Sequence, residues 1–298
     1  MTTAFVLSGG GSLGAVQVGM LQALSARNVH PDFVIGTSAG ALNAAFIAGH
    51  GTDAAALEEL ARIWAGLNRR DVFPLQAGRL AAAAMGRAES LCSEEPLRRL
   101  VRTHLAFDRI EDAPLPLHVV TTDFASGKEV LLSHGDSIDA VVASASIPAV
   151  FPSVRIDGRD LVDGGIADNA AISQAVALGA DIVYVLPTGY ACALEAPPSS
   201  PLSSALHALT LLIEQRLILE VAYYAEHADI RVIPPLCPLS VSSTDFRYGP
   251  ILITQARGAS ERWLQEGGTR RSHPERFLSL HRHASTPLVG PTRQGQIA

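Results

Sequence analysis

The stretch from Val34 to Ala45 reads Val-Ile-Gly-Thr-Ser-Ala-Gly-Ala-Leu-Asn-Ala-Ala, and the rest of the chain can be interpreted around it. An apolar, β-type run meets a Gly-x-Ser-x-Gly motif and passes directly into an alanine-rich, helix-forming run. This pattern is typical of a nucleophile elbow, a tight strand-to-helix turn that exposes one serine hydroxyl. Gly36 and Gly40 leave space where strand and helix approach each other. The candidate nucleophile is Ser38, near a helix N-terminus that favours negative charge.

A glycine-rich loop precedes this turn. Residues Gly9 to Gly14 read Gly-Gly-Gly-Ser-Leu-Gly and follow an apolar run, Ala4 to Leu7, that predicts a strand. The apolar residues after the loop recur at helical spacing, so the loop joins a strand to a helix. The loop matches the dinucleotide fingerprint, which also expects an acidic residue about 20 positions on, at the end of the second strand. Asp32 lies instead at the start of that strand, which disfavours a dinucleotide site.

The same loop fits a different role. Consecutive backbone N–H groups without side chains form a cradle for an anion, and beside a nucleophilic serine such a cradle is an oxyanion hole. We therefore predict an oxyanion hole formed by the N–H groups of Gly10, Gly11 and Ser12. A phosphate- or nucleotide-binding regulator without hydrolytic activity is an alternative, since it would keep the loop and would not need Ser38.

The third motif is Asp163-Gly164-Gly165, directly after a predicted strand. On its own it is typical of a turn in which the aspartate stabilises the backbone. Together with an elbow and an anion cradle, it places a carboxylate on a loop that can approach another loop closely. Asp163 is then the candidate general base for Ser38.

Histidine is the alternative base. Triads of the α/β-hydrolase type run Ser, Asp, His along the chain, so a triad would use a histidine after Asp163. The candidates are His207, His227, His273, His281 and His283. The first lies in a predicted helix, the last three lie in a weakly periodic C-terminal stretch, and none lies on a loop after a predicted strand. The pattern favours a Ser–Asp dyad, and a Ser-His-Asp esterase is the alternative.

Together, these motifs resemble those of the patatin-like phospholipases, in their bacterial form. That family joins a Gly-Gly-Gly-x-x-Gly loop, a Gly-x-Ser-x-Gly elbow and an Asp-Gly-Gly or Asp-Gly-Ala turn in the order found here. Residues 143–152 also resemble a block of the family that supports the site. The resemblance covers roughly residues 4–186. It implies a lipid acyl hydrolase that uses a Ser38–Asp163 dyad without histidine, and that needs no metal or cofactor.

Two positions depart from the family pattern. Many members have Arg or Lys in the glycine-rich loop where this chain has Leu13. In the phospholipase relatives that basic group can hold a lipid phosphate, so we expect neutral short- or medium-chain esters to be hydrolysed at least as well as phospholipids. Ala170 stands where the family often has proline, which we interpret as a local change of turn.

Strands alternate with helices along most of the chain, which predicts the α/β class. We expect a mostly parallel central sheet covered by helices on both faces, the patatin-like three-layer α/β/α arrangement. One acyl-hydrolase domain is predicted over residues 1–268, and a basic, partly disordered tail over 269–298. Within the domain, a Pro/Ser linker at 197–201 precedes a long helix, Leu202 to Glu226.

Composition limits the function classes. The 298 residues carry a net charge of −6, which argues against nucleic acid as a partner because phosphate binding needs a basic face. Cys92, Cys192 and Cys237 lie far apart, so neither a zinc site nor a disulfide framework is indicated and a reduced compartment fits best. The first residues lack the features of a signal peptide. No apolar run reaches the ~18 residues of a membrane span. We therefore expect a cytoplasmic protein, with peripheral membrane contact left open.

The expected substrate is a lipid or another fatty-acyl ester. Two apolar segments, Val72 to Met85 and Leu202 to Ile218, are candidates for an acyl-chain groove or for contact with a bilayer. Ordinary core packing is the alternative for both segments. The sequence does not indicate an oligomeric state.

Overall fold

The computed structural model describes residues 1–74, 77–190, 192–193, 201–270 and 278. Its strands are β1 (Thr3–Leu7), β2 (Phe33–Thr37), β3 (Leu117–Asp123), β4 (Glu129–Leu132), β5 (Val154–Ile156), β6 (Arg159–Asp163), β7 (Ile182–Leu186) and β8 (Asp229–Val232). Its helices are α1 (Gly14–Ser25), α2 (Ala39–His50), α3 (Ala54–Gly66), α4 (Arg69–Val72), α5 (Ala77–Ala84), α6 (Glu95–His104), α7 (Ser137–Ser144), α8 (Ile172–Ala177), α9 (Pro201–Tyr224) and α10 (Gly249–Gln265).

The described strands form one sheet, in the order β5-β6-β3-β2-β1-β7-β8, with β4 also paired to β3. The run β3-β2-β1-β7-β8 is parallel throughout. The antiparallel pairs lie at one side of the sheet and include the two hairpins β3–β4 and β5–β6. The prediction of a mostly parallel sheet is therefore confirmed.

Alternate residues of the central strands enter different cores. In β1, Phe5 and Leu7 join a cluster with residues of α1, α2, α3 and α10. Ala4 and Val6 join a second cluster with residues of α8 and α9. This period of two is the pattern of a strand that is buried on both faces. The predicted three-layer α/β/α architecture is confirmed.

The glycine-rich loop and the elbow lie at the same edge of this sheet. The loop follows β1 and the elbow follows β2, and these neighbouring strands are parallel. The carboxyl ends of parallel strands meet at one edge, which is where open α/β sheets bind their ligands. The topology therefore brings the first two motifs together.

The loop before α8 is longer than the sequence suggests. The run from Asn169 to Leu178 predicts a helix, whereas α8 begins at Ile172. The Asp168 side chain accepts hydrogen bonds from the N–H groups of Ala170 at 3.0 Å and Ala171 at 2.7 Å. These bonds hold the residues ahead of the helix in a turn.

The C-terminal part of the chain is described only in places. The predicted Pro/Ser linker falls mostly on residues 194–200, and most of the predicted tail falls on 271–277 and 279–298, all of which lie outside the described residues. Leu278 is described, and it is buried in the second core together with Leu217 of α9. The predicted domain boundary at residue 268 stays a prediction.

Candidate active site

Strand register brings Ser38 and Asp163 together. β2 ends with Thr37 opposite Val120 of β3, and Ser38 is the next residue. β6 ends with Asp163 opposite Thr121 of β3. β4 pairs with both Val120 and Thr121, so it lies along one side of β3. β2 and β6 must therefore both lie along the opposite side of β3, one after the other. The serine after one strand and the aspartate at the end of another therefore lie at adjacent positions.

Ser38 has the strained backbone of a nucleophile elbow. Its φ is 53° and its ψ is −121°, a region that non-glycine residues adopt at a cost of about 1–3 kcal/mol. Its N–H donates to Oγ of Ser144 at 2.9 Å, and that hydroxyl donates to the carbonyl of Val120 at 2.6 Å. Ser144 belongs to the block at 143–152 that was expected to support the site, and it fixes the turn.

Two glycines allow the helix to begin so close to the sheet. A Cβ on Gly36 would lie 2.5 Å from Cα of Ala41, and a Cβ on Gly40 would overlap the carbonyl group of Leu7 in β1. The close approach of strand and helix that the sequence indicated is therefore present. It leaves the N-terminus of α2 directly behind Ser38.

The side chains of Ser38 and Asp163 form a direct hydrogen bond. Ser38 Oγ donates to Asp163 Oδ2 at 2.7 Å, and the other carboxylate oxygen, Oδ1, accepts the N–H of Gly165 at 2.8 Å. Both side chains are buried, with exposed fractions of 8% and 7%. Burial raises the pKa of the Asp163 carboxyl to about 6, although both hydrogen bonds act to lower it. The carboxylate is therefore a stronger base than an exposed aspartate.

The glycine-rich loop presents two unoccupied N–H groups at this site. Within the described residues, the N–H groups of Gly10 and Gly11 have no acceptor. The prediction for Ser12 needs a correction, because its N–H donates to the carbonyl of Ser243 at 2.8 Å. Gly11 has a φ of 58°, and a Cβ there would overlap the same carbonyl. The cradle therefore reduces to Gly10 and Gly11, and the loop before α10 fixes its far end.

Side chains from two other loops hold the cradle. Asn169 Oδ1 accepts the N–H of Gly9 at 3.0 Å, and Thr188 Oγ1 donates to the Gly9 carbonyl at 2.7 Å. Asn169 follows the Asp163 turn and Thr188 follows β7, so loops after three strands converge on one glycine. Thr188 carries no motif, and its position just after a parallel strand is the only sequence feature that could have indicated a role at the site.

A buried network of hydrogen-bonded polar side chains supports the start of the glycine-rich loop. Gln17 Nε2 donates to the carbonyl of Ser8 at 2.8 Å, and Asn43 Nδ2 donates to Gln17 Oε1 at 2.8 Å. Trp64 Nε1 donates to Asn43 Oδ1 at 2.7 Å. Gln17 and Asn43 have no exposed area at all. These hydrogen bonds tie α1, α2 and α3 to the end of β1. Their signal in the sequence was an amide, Gln17 or Asn43, flanked by apolar residues of a helix.

Two cavities meet at Ser38. The first, called the α9 cavity, is lined by residues that include Ser38, Asp163, Ile166, Asn169, Ile213 and Glu214. The second, called the apolar cavity, is lined by residues that include Leu42, Trp64, Val72, Phe73, Leu97 and Phe151. Gly11, Ser38, Phe73 and Ile147 line both. Both apolar segments singled out in the sequence therefore contribute to walls near Ser38.

Histidine does not line either cavity among the residues that the structure describes. His207 lies within α9, and the ring of His227 stacks on Tyr223 near the end of that helix. His273, His281 and His283 lie outside the described residues. The described residues also contain no group of three or more His, Cys, Asp or Glu arranged to hold a metal ion.

A comparison with protein-family models identifies the family. The model of the patatin-like phospholipases matches residues 5–176, more than half of the chain. The chain belongs to this family. The patatin-like match extends from β1 to α8 and contains the glycine-rich loop, the elbow and the Asp163 turn. It ends before β7 and α9, so one wall of the α9 cavity lies beyond it.

Curated relatives are similar over the same part of the chain. An uncharacterized NTE family protein of Mycobacterium bovis is 32% identical over 183 residues, which are 61% of this chain and 48% of the relative. Lysophospholipase NTE1 of Pyricularia oryzae is 28% identical over 184 residues, which are 62% of this chain and 12% of the relative. The chain thus spans about half the length of the mycobacterial relative and a small part of the fungal one.

Solved structures give weaker similarities. VipD from Legionella pneumophila aligns with a TM-score of 0.47 at 16% identity, over 93% of this chain and 66% of VipD. Human GIVD cytosolic phospholipase A2, solved with methyl gamma-linolenyl fluorophosphonate, aligns with a TM-score of 0.44 at 12% identity, over 93% of this chain and 60% of the human chain. Within the described residues, no helix is both long and apolar enough to cross a membrane.

Proposed function

We propose that this chain is a serine acyl hydrolase, which cleaves lipid or other fatty-acyl esters with a Ser38–Asp163 dyad. The observation that carries the proposal is the 2.7 Å hydrogen bond from Ser38 Oγ to Asp163 Oδ2. It joins a serine on a strained elbow to a carboxylate whose pKa is raised to about 6 by burial. Membership of the patatin-like phospholipase family supports a lipid substrate.

The first half of the reaction makes an acyl-enzyme. Ser38 Oγ attacks the ester carbonyl, and Asp163 accepts the hydroxyl proton. The carbonyl oxygen becomes an oxyanion that the N–H groups of Gly10 and Gly11 stabilise. When the tetrahedral intermediate collapses, the ester C–O bond breaks and the leaving alcohol takes the proton from Asp163. The acyl group then remains on Ser38.

The second half releases the acid. Asp163, again ionised, accepts a proton from a water molecule that attacks the acyl carbonyl. The same N–H groups stabilise the second oxyanion, and collapse returns the proton to Ser38 Oγ and frees the carboxylic acid. One carboxylate thus serves both half-reactions, with Gly165 N–H at 2.8 Å holding its other oxygen.

The alternatives are less well supported by the geometry. A Ser-His-Asp esterase would place an imidazole between serine and aspartate, where the two side chains here are in direct contact. A phosphate- or nucleotide-binding regulator would hold a polyanion beside the Asp163 carboxylate, and like charges repel at that distance. Residues 1–268 are proposed as the hydrolase domain.

Contact with a lipid surface belongs to the same proposal. α9 carries large apolar side chains that are mostly exposed, at Leu212 (65%), Leu219 (71%) and Tyr223 (62%). They lie on one side of a helix whose other side lines the α9 cavity. We propose that this exposed side rests on a membrane while a lipid ester enters the site. The cytoplasmic location stays a prediction from the sequence.

A fluorophosphonate probe tests the proposed nucleophile. Labelling followed by peptide mapping should find the adduct on Ser38, and Ser38→Ala should abolish both labelling and hydrolysis of a p-nitrophenyl ester. Ser126→Ala, at an exposed hairpin turn, is the matched control and should label fully. Circular dichroism of each variant checks the fold. An adduct on Ser144 or Ser146, or ester hydrolysis that survives in Ser38→Ala, would refute the assignment.

A further inference from the structure

Glu214 is a carboxylic acid on the buried, otherwise apolar face of α9. The inner face of α9 buries Leu217 and Val221, with exposed fractions of 2% and 0%, against the second core. Glu214 lies one turn earlier on the same face and is also buried, with an exposed fraction of 4%. Helical spacing therefore puts a carboxyl group where the pattern calls for an apolar side chain.

This carboxyl has no partner among the described residues. Burial raises the pKa of Glu214 to about 7, and no described residue offsets this with a hydrogen bond or an opposite charge. Partial desolvation of a carboxyl group is unfavourable, and a leucine at this position would avoid that cost. Residues that break a local rule in this way are often found at functional sites.

The position of Glu214 connects it to the proposed chemistry. It lines the α9 cavity together with Ser38 and Asp163. Its neighbour Ile213 packs against the catalytic turn, since a Cβ on Gly165 would lie 3.5 Å from Ile213 Cδ1. The unpaired carboxyl is therefore presented to the space in which a bound ester would lie.

The two cavities can hold the two parts of an ester substrate, the acyl chain and the alcohol. The apolar cavity offers an alkyl chain the side chains of Trp64, Val72 and Phe151, and none of the described residues that line it is charged. An alkyl chain in the α9 cavity would leave Glu214 without a hydrogen bond. The acyl chain therefore fits the apolar cavity, and the alcohol part of the ester fits the α9 cavity, where Thr244 and Asn169 add further polar groups.

We propose that Glu214 accepts a hydrogen bond from a free hydroxyl group on the alcohol part of the substrate. The preferred substrates are then esters of hydroxyl-bearing alcohols, such as diol monoesters and partial glycerides. A carboxyl group can accept this bond whether it is ionised or protonated. An anionic head group in contact with Glu214 is disfavoured, in keeping with Leu13 in the glycine-rich loop. This inference rests on the proposed hydrolase function.

The test uses two hexanoate esters of nearly equal shape. The 2-hydroxyethyl ester carries a hydroxyl where the propyl ester carries a methyl group. The measured quantity is the ratio of kcat/KM for the hydroxyl ester to kcat/KM for the propyl ester, in the full chain. Glu214→Met should lower this ratio about tenfold, as expected for loss of a hydrogen bond to a charged acceptor. Glu214→Gln keeps an acceptor oxygen and should lower the ratio less.

The controls separate this effect from charge and from stability. Glu226→Gln removes an exposed carboxyl just beyond α9 and should leave the ratio unchanged. If Glu214 only fills space, Glu214→Met will raise the melting temperature without changing the ratio, which overturns the inference. A wild-type preference for the choline ester over its uncharged 3,3-dimethylbutyl counterpart that exceeds the preference for the hydroxyl ester also overturns it, since the subsite would then select a cation.

Failure of the two proposals can be told apart. If the wild type hydrolyses both esters and Glu214→Met leaves their ratio unchanged, the hydrolase function stands and the Glu214 subsite is wrong. If the wild type hydrolyses neither ester and Ser38 is not labelled by a fluorophosphonate, the proposed hydrolase function is wrong. The Glu214 subsite, which depends on that function, is then also wrong.

Discussion

The edge of the sheet at Ser38 and the wall formed by α9 are both buried, yet they are built differently. At the sheet edge the reacting side chains are already paired, through the Ser38–Asp163 hydrogen bond and the Gly165 N–H on Asp163. Only the proposed oxyanion donors, the N–H groups of Gly10 and Gly11, have no acceptor within the described residues. At the α9 wall, Glu214 is buried, and no residue in the described part of the chain pairs with it. A satisfied cluster is set up before substrate arrives, whereas an unsatisfied group gains its partner from the substrate. We infer that the sheet edge at Ser38 determines the reaction, and that the walls of the two cavities determine which ester is preferred as a substrate.

The largest expected effect tests the edge. Asp163→Asn keeps the shape of the side chain and cannot accept the proton, so kcat on a soluble ester should fall by at least ~10². His207→Ala, on α9, is the control and should retain most of the activity. A folded histidine variant whose kcat falls as far as that of Asp163→Asn would show that the site is a triad. The sheet edge would then lack one of its catalytic groups in the account given above.

The sequence predicts the edge well because the contacts there are local or follow from strand order. Gly36, Ser38 and Gly40 define the elbow within five residues, and parallel strands place the glycine-rich loop beside it. The family resemblance supplied the pairing with Asp163, which a turn motif alone does not specify. Ser12 was wrong as an oxyanion donor because its N–H is taken by Ser243, a contact between residues 231 positions apart that no local pattern encodes.

The walls were harder to predict. The sequence singled out both apolar segments that line the cavities, but it could not separate a groove from ordinary core packing. Only the structure shows that Phe73 lines a cavity at Ser38 and that Glu214 lies on the buried side of α9. Hydropathy averaged over that long helix does not reveal Glu214, one of its two glutamates, because the position of a carboxyl group becomes informative only when the packed face is known.

A second prediction tests the apolar wall. Leu42 lines the apolar cavity and the adjoining pocket between α2, α3 and α6, so Leu42→Trp should shorten the space for an acyl chain. Each methylene that is no longer buried loses about 0.8 kcal/mol, a factor of about four. Excluding four methylenes should lower kcat/KM for dodecanoate relative to butyrate esters by about 10². An equal loss for both chain lengths would mean that the substitution has disturbed the edge itself.

The third prediction is the pH dependence of kcat/KM that follows from the burial of Asp163 at the sheet edge. Asp163, as the proposed general base, must be ionised to act, and burial raises its pKa to about 6. kcat/KM for a neutral ester should therefore be level above pH 7 and should fall about tenfold per unit below pH 6, rather than near the ~3.9 of an exposed aspartate. Measurement over pH 4.5–8, with stability followed in parallel, checks this. A decline centred near pH 4 would contradict the burial of the carboxylate.

The same shift has a consequence for stability, with the opposite sign to that of a salt-bridged aspartate. Because the folded-state pKa is the higher one, the folded protein binds the proton more tightly than the unfolded chain. Stability should therefore rise as the pH falls from above 6 towards 4, by no more than about 3 kcal/mol for a shift of two units. Asp163→Asn should remove this contribution, so its gain in melting temperature over the wild type should be largest near pH 8 and smallest near pH 4.

The smallest expected effect tests the outer side of α9, away from both cavities. Leu219 is 71% exposed, and burying such a side chain in a membrane interface contributes roughly 1.5 kcal/mol. Leu219→Ser should therefore weaken binding to neutral phosphatidylcholine vesicles by about tenfold or less in a sedimentation assay. Hydrolysis of a soluble short-chain ester should not change, because Leu219 lines neither described cavity. Leu178→Ser, at an exposed leucine that follows α8, is the matched control for lost apolar surface. If both variants bind vesicles as the wild type does, the exposed side of α9 does not rest on the membrane, and its role is confined to the wall that carries Glu214.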